Sequence, residues 1–162
     1  MAEQRGGPDE NAGFLLWRLT LAWRAQAGAA LRPLGLTHTE YVLLALVFWY
    51  SHDGYFPSQR ELADHGGLDQ MLVSKTVRPL VRQGLLVQVA DPADRRIARM
   101  SLTDEGRNTF RQAAAAVGDA HRQFLHPLGD RAETFIRELQ QLLPAAARAP
   151  RRRGRPTEGS PT

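Results

Sequence analysis

The sequence predicts a mainly α-helical fold with one small antiparallel β-hairpin, and three observations carry that prediction. Apolar residues recur at helical spacing in several segments that begin with side chains suited to helix starts, Thr37 with Glu40 and Ser58 with Glu61. Strict alternation occurs only around residues 85–102, on either side of the polar stretch Asp91 to Arg96. A chain of 162 residues is long enough for one real core and short for two independent domains.

From Asn11 to Leu31 the chain has strong helix formers and no internal proline, so one long helix is predicted, ended by Arg32-Pro33 and Gly35. Its apolar residues cover much of its surface, as in a helix that packs on a second subunit besides its own core. Thr37 and Glu40 form a capping box for a second helix that runs to Tyr50, and Ser51 to Gly54 read as a loop. Tyr55-Phe56-Pro57 can pair briefly as an edge strand. Ser58 and Glu61 open a third helix, which two glycines, Gly66 and Gly67, confine to about two turns. Asp69 is placed to cap a fourth helix over Gln70 to Gln83, where Val73, Val77, Leu80 and Val81 make the inner stripe. Pro79 lies inside that helix and is expected to kink or loosen its last turns before Gly84 ends it.

Leu85, Val87 and Val89 alternate with Leu86, Gln88 and Ala90, and Ala98, Met100 and Leu102 alternate with Arg99 and Ser101, which predicts two half-buried strands and a hairpin. Thr103 caps a helix from about Asp104 to Phe124 that Pro127 and Gly129 break. Asp130 with Glu133 is expected to open a last helix, with Phe135, Ile136, Leu139, Leu142 and Leu143 as its apolar stripe.

The net charge of +4 is unevenly distributed: −1 over residues 1–58, +2 over 59–112, −1 over 113–147 and +4 over 148–162. The basicity therefore belongs mainly to the tail, RAPRRRGRPTEGSPT, whose composition predicts disorder, as does that of residues 1–10. Basic residues are twenty arginines and one lysine, Lys75. Cysteine is absent, which removes disulfides, thiolate metal sites and cysteine redox switching, and fits a reducing cytoplasm. The polar N-terminus and a longest apolar run of ten residues, Tyr41 to Tyr50, predict a soluble protein without a secretion signal.

A short polar helix, a turn, a basic helix and an Arg-tipped hairpin in unbroken order describe a winged helix-turn-helix, which grips duplex DNA. The second helix of such a motif meets base edges with its N-terminal turns. Here Gln70, Met71, Ser74, Lys75 and Arg78 are the candidates: Gln70 to read adenine, Lys75 or Arg78 to donate to guanine, Ser74 to serve base or phosphate. Ser58, Gln59 and Arg60 at the start of the first helix, with Arg82, are candidates for the DNA backbone. At the hairpin tip Arg95 and Arg96 suit the negative potential of a narrow minor groove, and Asp94 is spaced to pin Arg96 in one orientation. An ordinary polar turn with a surface ion pair is the plainer reading of the tip taken alone.

The runs LGLTHTEYVLLALV, SQRELADHGGLDQMLVSKTVRPLVRQGLL and DPADRRIARMSLTDEG resemble the multiple-antibiotic-resistance-regulator (MarR) family of bacterial transcription factors, over about residues 14–145. The wing and the Leu102-Thr103-Asp104-Glu105-Gly106 start of the next helix are the most specific part. The resemblance implies a homodimer on a pseudo-palindromic operator, acting as a ligand-responsive repressor. It implies one domain over residues 11–147, with 11–36 and 104–147 as dimerisation helices and 37–103 as the winged lobe. Asp94 and Arg96 match the family's wing pair, whereas Pro79 departs from its usual helical residue. A small aromatic or phenolic effector in a cleft between the dimer helices and the lobe is also implied, and Trp17, Tyr41, Phe48, Trp49 and His121 are the candidates to line it. Oxidant-sensing members use a Cys near the first helix, which this chain lacks.

No glycine-rich phosphate loop or nucleophile elbow suggests an enzyme, the five histidines have no metal-ligand spacing, and no cofactor is expected. The alternative is a winged-helix protein-protein interaction module without sequence-specific DNA binding. Exposed cations at Lys75, Arg78, Arg82, Arg95 and Arg96 argue against it, because charge is depleted at the centre of protein interfaces.

Overall fold

The computed structural model describes residues 10–143, apart from Asp53 and Pro92. The expectations for residues 1–9, for 144–147 at the end of the last dimerisation region and for the basic tail, 148–162, lie outside these. Six α-helices, α1 (Ala12–Leu31), α2 (His38–His52), α3 (Gln59–Gly66), α4 (Gln70–Arg82), α5 (Asp104–Leu125) and α6 (Ala132–Leu142), accompany the hairpin of β1 (Leu86–Ala90) and β2 (Ala98–Leu102). Among the described residues no helix is long and apolar enough to cross a membrane.

Local chemistry fixes most of the helix ends. The Asn11 side chain accepts from the Phe14 amide. At Thr37 the hydroxyl and amide both donate to the Glu40 carboxylate, and the hydroxyl accepts from the Glu40 amide. Ser58 and Glu61 form the same reciprocal box at α3. Helix α2 continues two residues into the predicted loop, with the Ser51 hydroxyl donating back to the Val47 carbonyl. Helix α4 runs through Pro79 to Arg82. Proline costs the helix one amide donor, but so near the C-terminus the continuous turns hold, because the end is tied twice. The Gly84 amide donates to the Val81 carbonyl and the Leu85 amide to that of Leu80. This closure needs Gly84 at φ 71°, a left-handed conformation that favours glycine.

One core joins the elements: Leu31 of α1, Leu43, Leu44 and Val47 of α2, Leu62 of α3, Val73, Val77 and Leu80 of α4, Leu86, Met100 and Leu102 of the hairpin, and Phe110 of α5. The hairpin register, Leu86 opposite Leu102 and Gln88 opposite Met100, settles which of the two alternating sets of β1 faces the core. Met100 and Leu102 define the inner face, so Leu86 shares it, and Val87 and Val89 are exposed opposite Ser101 and Arg99.

The Leu-Thr-x-x-Gly sequence at the start of α5 has a packing explanation. The Thr103 hydroxyl donates to the Gly84 carbonyl at 2.6 Å and accepts from the Gly106 amide at 2.9 Å. This ties α5 so closely to the α4–β1 turn that a Cβ on Gly106 would lie 1.9 Å from the Leu85 carbonyl oxygen. Only glycine fits that approach.

Beyond α5 a 3-10 segment, His126–Arg131, carries a non-helical Gly129 and leads directly into α6. Asp130 therefore lies within this segment and does not cap α6, which begins after Arg131 with no side-chain cap. The α6 stripe is half-buried at Phe135, Ile136 and Leu139, and Leu142 and Leu143 are exposed.

Candidate nucleic-acid interface

Helix α4 starts with Asp69, whose carboxylate accepts from the Met71 and Leu72 amides at 2.9 and 3.1 Å. With Val73, Val77 and Leu80 turned into the core, Gln70, Met71, Lys75, Arg78 and Arg82 are exposed and Ser74 is half-buried. The outer face thus carries three cations and no carboxylate. Ser58 is committed to capping α3, Gln59 is half-buried and Arg60 is exposed.

The wing tip is built by two aspartates. The Asp91 carboxylate accepts from the Ala93 and Asp94 amides at 2.7 and 3.1 Å, which shapes the turn. Asp94 then takes the Arg96 guanidinium in a two-pronged grip, Nε to Oδ1 and Nη2 to Oδ2 at 3.0 Å each, and also accepts from the Arg96 amide. The pinning expected from the two-residue spacing is present, and the Arg96 side chain stays 91% exposed. Pairing with Arg96 and the donated amide hold the Asp94 carboxyl below its ordinary range.

Sequence reasoning missed the group that fixes the base of the wing. The Arg99 guanidinium donates from Nε to Asp91 Oδ2 at 2.6 Å, and from Nη1 to the Tyr55 hydroxyl at 2.6 Å and Glu61 Oε2 at 2.7 Å. It also lies over the Tyr55 ring, 5.1 Å from its centre, and its side chain is only 18% exposed. Tyr55 donates its hydroxyl to the other Glu61 oxygen. Burial opposes ionisation of Glu61, but the Tyr55 hydroxyl, the Ser58 amide and hydroxyl and the Arg99 charge outweigh it and hold the carboxyl low. The Arg99 hydrogen bond, with the two donated amides, does the same for Asp91. The edge pairing expected at Tyr55-Phe56-Pro57 amounts to one bridge, Ser58 with Arg99, and a 2.8 Å hydrogen bond from the Met100 amide to the Pro57 carbonyl.

The five aromatic candidates for a ligand cleft do not line one cavity within the chain. Tyr41 and Trp49 line a cavity of about 240 Å3 with Tyr50, His65 and aliphatic residues of α2. Tyr41 and Phe48 both pack on Phe110, with ring centres 6.1 and 4.6 Å from it. Trp17 is exposed beside Phe14 on α1, and His121 meets the edge of Trp23. Successive helical residues point about 100° apart, which separates Phe48 from Trp49. Among the described residues no group of three or more His, Asp or Glu is placed to hold a metal ion.

Comparison with known proteins agrees with this architecture. A family model described as MarR family matches residues 34–97. The transcriptional regulator YdcH of Bacillus subtilis, a helix-turn-helix type, is 33% identical over 137 residues, which cover 85% of this chain and 92% of YdcH. A MarR-family regulator from Rhodococcus sp. RHA1 superposes with a TM-score of 0.74 at 30% identity, over 85% of this chain and 94% of that one. The Mycobacterium tuberculosis MarR-family protein Rv2887, solved in complex with DNA, is also 30% identical, with a TM-score of 0.65 over 82% of this chain and 97% of its own. Rv2887 has been solved with salicylic acid as well. The chain belongs to the MarR family of transcriptional regulators.

Proposed function

We propose that the protein is a ligand-responsive repressor that binds a pseudo-palindromic operator as a homodimer. Residues 37–103 form the DNA-binding lobe in this reading, and residues 11–36 and 104–147 the dimerisation helices. The observation that carries it is Arg96, held by Asp94 at the wing tip and exposed in the same lobe as the cationic face of α4. A guanidinium fixed in one orientation enters a minor groove at little entropic cost, while α4 lies in the adjacent major groove. The DNA complex of Rv2887 supports the same partner for this chain. Gln70, Met71, Ser74, Lys75 and Arg78 then face bases, and Arg60 and Arg82 face phosphates. A two-fold dimer places its two α4 helices about one helical turn apart on the duplex.

The salicylic acid complex of Rv2887 supports a small aromatic or phenolic effector. The cavity beside Tyr41 and Trp49 suits one such ring by its apolar lining and size. A reducing cytoplasm is the compartment this role requires.

Fluorescence anisotropy with duplex fragments from upstream of the protein's own gene, measured over a salt series, tests the DNA reading. Affinity is expected to fall steeply, with a slope of about −0.9 per phosphate neutralised. Lys75→Ala and Arg78→Ala are expected to change the ranking of operator variants more than the affinity for unrelated duplex. Equal losses on every sequence would restrict both side chains to phosphate, and salt-insensitive or absent binding would overturn the reading.

A further inference from the structure

We infer that Arg99 is a positioning residue for DNA recognition: it sets the angle of the wing against the helix-turn-helix, so that Arg96 and α4 engage one duplex together. This rests on the proposed minor-groove role of Arg96. Arg99 itself is mostly enclosed and its guanidinium is committed to Asp91, Tyr55 and Glu61, so it acts through the wing and not by contact.

Its guanidinium bridges parts of the chain that are far apart in sequence. One edge holds Asp91, the residue that shapes the wing turn through the Ala93 and Asp94 amides. The other meets Tyr55, the Phe56 carbonyl and Glu61, and Glu61 is the residue that completes the Ser58 cap of α3. Asp91 thus links Arg99 to the turn that presents Asp94 and Arg96, while Glu61 links it to the helix that packs against α4. The hairpin has only two strands, and among the described residues its backbone is tied to the rest of the lobe near its base, at the Ser58–Arg99 bridge and the Met100 amide, and not at its tip. Arginine can span both carboxylates because its donors form a rigid planar fork, whereas lysine presents one compact charge.

A nitroxide on Ala93→Cys reports the mobility of the wing tip without DNA, and the absence of native cysteine leaves a single label per chain. Arg99→Gln is expected to raise that mobility clearly, Tyr55→Phe to raise it less because the ring remains, and Arg99→Lys to restore it only in part. Circular dichroism first establishes that each variant is folded. Tyr55→Phe keeps the test decisive if Arg99→Gln does not fold. In operator binding, Arg96→Ala is expected to cost about tenfold in the native background and less than about twofold beside Arg99→Gln, because a wandering wing has already lost that contact. A purely structural role would lower stability and leave the full Arg96→Ala cost in the folded fraction. Unchanged label mobility, or an Arg96→Ala cost that stays about tenfold beside Arg99→Gln, overturns the inference. Raised mobility with no Arg96→Ala cost in either background would retain Arg99 as the fixture of the wing and refute the proposed minor-groove contact instead.

Discussion

Of the twenty residues of α1 only Ala27 and Leu31 are buried, whereas α4, with thirteen, buries Val73, Val77 and Leu80 and is closed at both ends. The same contrast holds between whole regions. In the winged lobe the strongly polar Arg99 has four partners, and Leu62 of α3 with Val73, Val77 and Leu80 of α4 converge on one core. On α1 and at the end of α6, Leu15, Leu16, Trp17, Leu19, Leu21, Leu142 and the following Leu143 remain exposed. The winged lobe closes on its own core, although Trp49, Met71, Val87 and Val89 stay exposed on it. The other presents apolar area of the kind that a second copy of the chain covers in a homodimer.

The largest effect that separates the regions is expected at two glycines of the same helix. Gly106→Ala forces a Cβ onto the Leu85 carbonyl and is expected to destabilise the fold by about 3 kcal/mol. Gly118→Ala, whose nearest neighbour would be the Arg122 side chain at 3.8 Å, is expected to be neutral or stabilising by up to about 1 kcal/mol. Urea denaturation checks both; equal costs would mean that the α5 start is not locked to the lobe as described.

Next comes the open face. Leu15→Asp with Leu19→Asp, one turn apart on α1, is expected to weaken self-association about a hundredfold, from about 1.5 kcal/mol or more of lost burial per leucine. Sedimentation of the native chain is expected at twice 18.0 kDa, and of the variant at 18.0 kDa with the circular dichroism of the lobe retained. An unaltered dimer would move the interface away from α1.

A smaller, pH-dependent effect belongs to the lobe. The carboxyls of Glu61 and Asp91 are held below their unfolded values, so the stability they contribute is complete above about pH 5 and is lost as pH falls through the lowered folded values. The urea midpoint is therefore expected to fall below about pH 4, and less steeply in Glu61→Gln. A flat profile in the native protein would deny the network a part in stability.

What was legible in the sequence was local. Asn11, Thr37, Ser58, Asp69 and Thr103 each meet amides within three residues, so the helix starts could be read from spacing alone. The Asp94–Arg96 pair has the same short range. Arg99 was not legible, because its partners Tyr55 and Glu61 lie 44 and 38 residues away and no periodicity relates them. The facing of β1 was not legible either, because both alternating sets contain apolar residues and only the register with Met100 and Leu102 shows which face is covered. Asp130 looked like a cap, but the path through Gly129 placed it inside a 3-10 turn. The aromatic candidates were chosen by residue type, which cannot tell a cavity wall such as Trp49 from a core contact such as Phe48.

The most direct measurement of the central claim is the affinity of native protein and Arg96→Ala for duplex from upstream of the protein's own gene at physiological salt. A loss of about tenfold, of order 1.4 kcal/mol, is expected, with an unchanged circular dichroism spectrum and an unchanged dimer. Equal affinity of the two proteins, both folded and dimeric, would contradict the assignment of the wing to the minor groove.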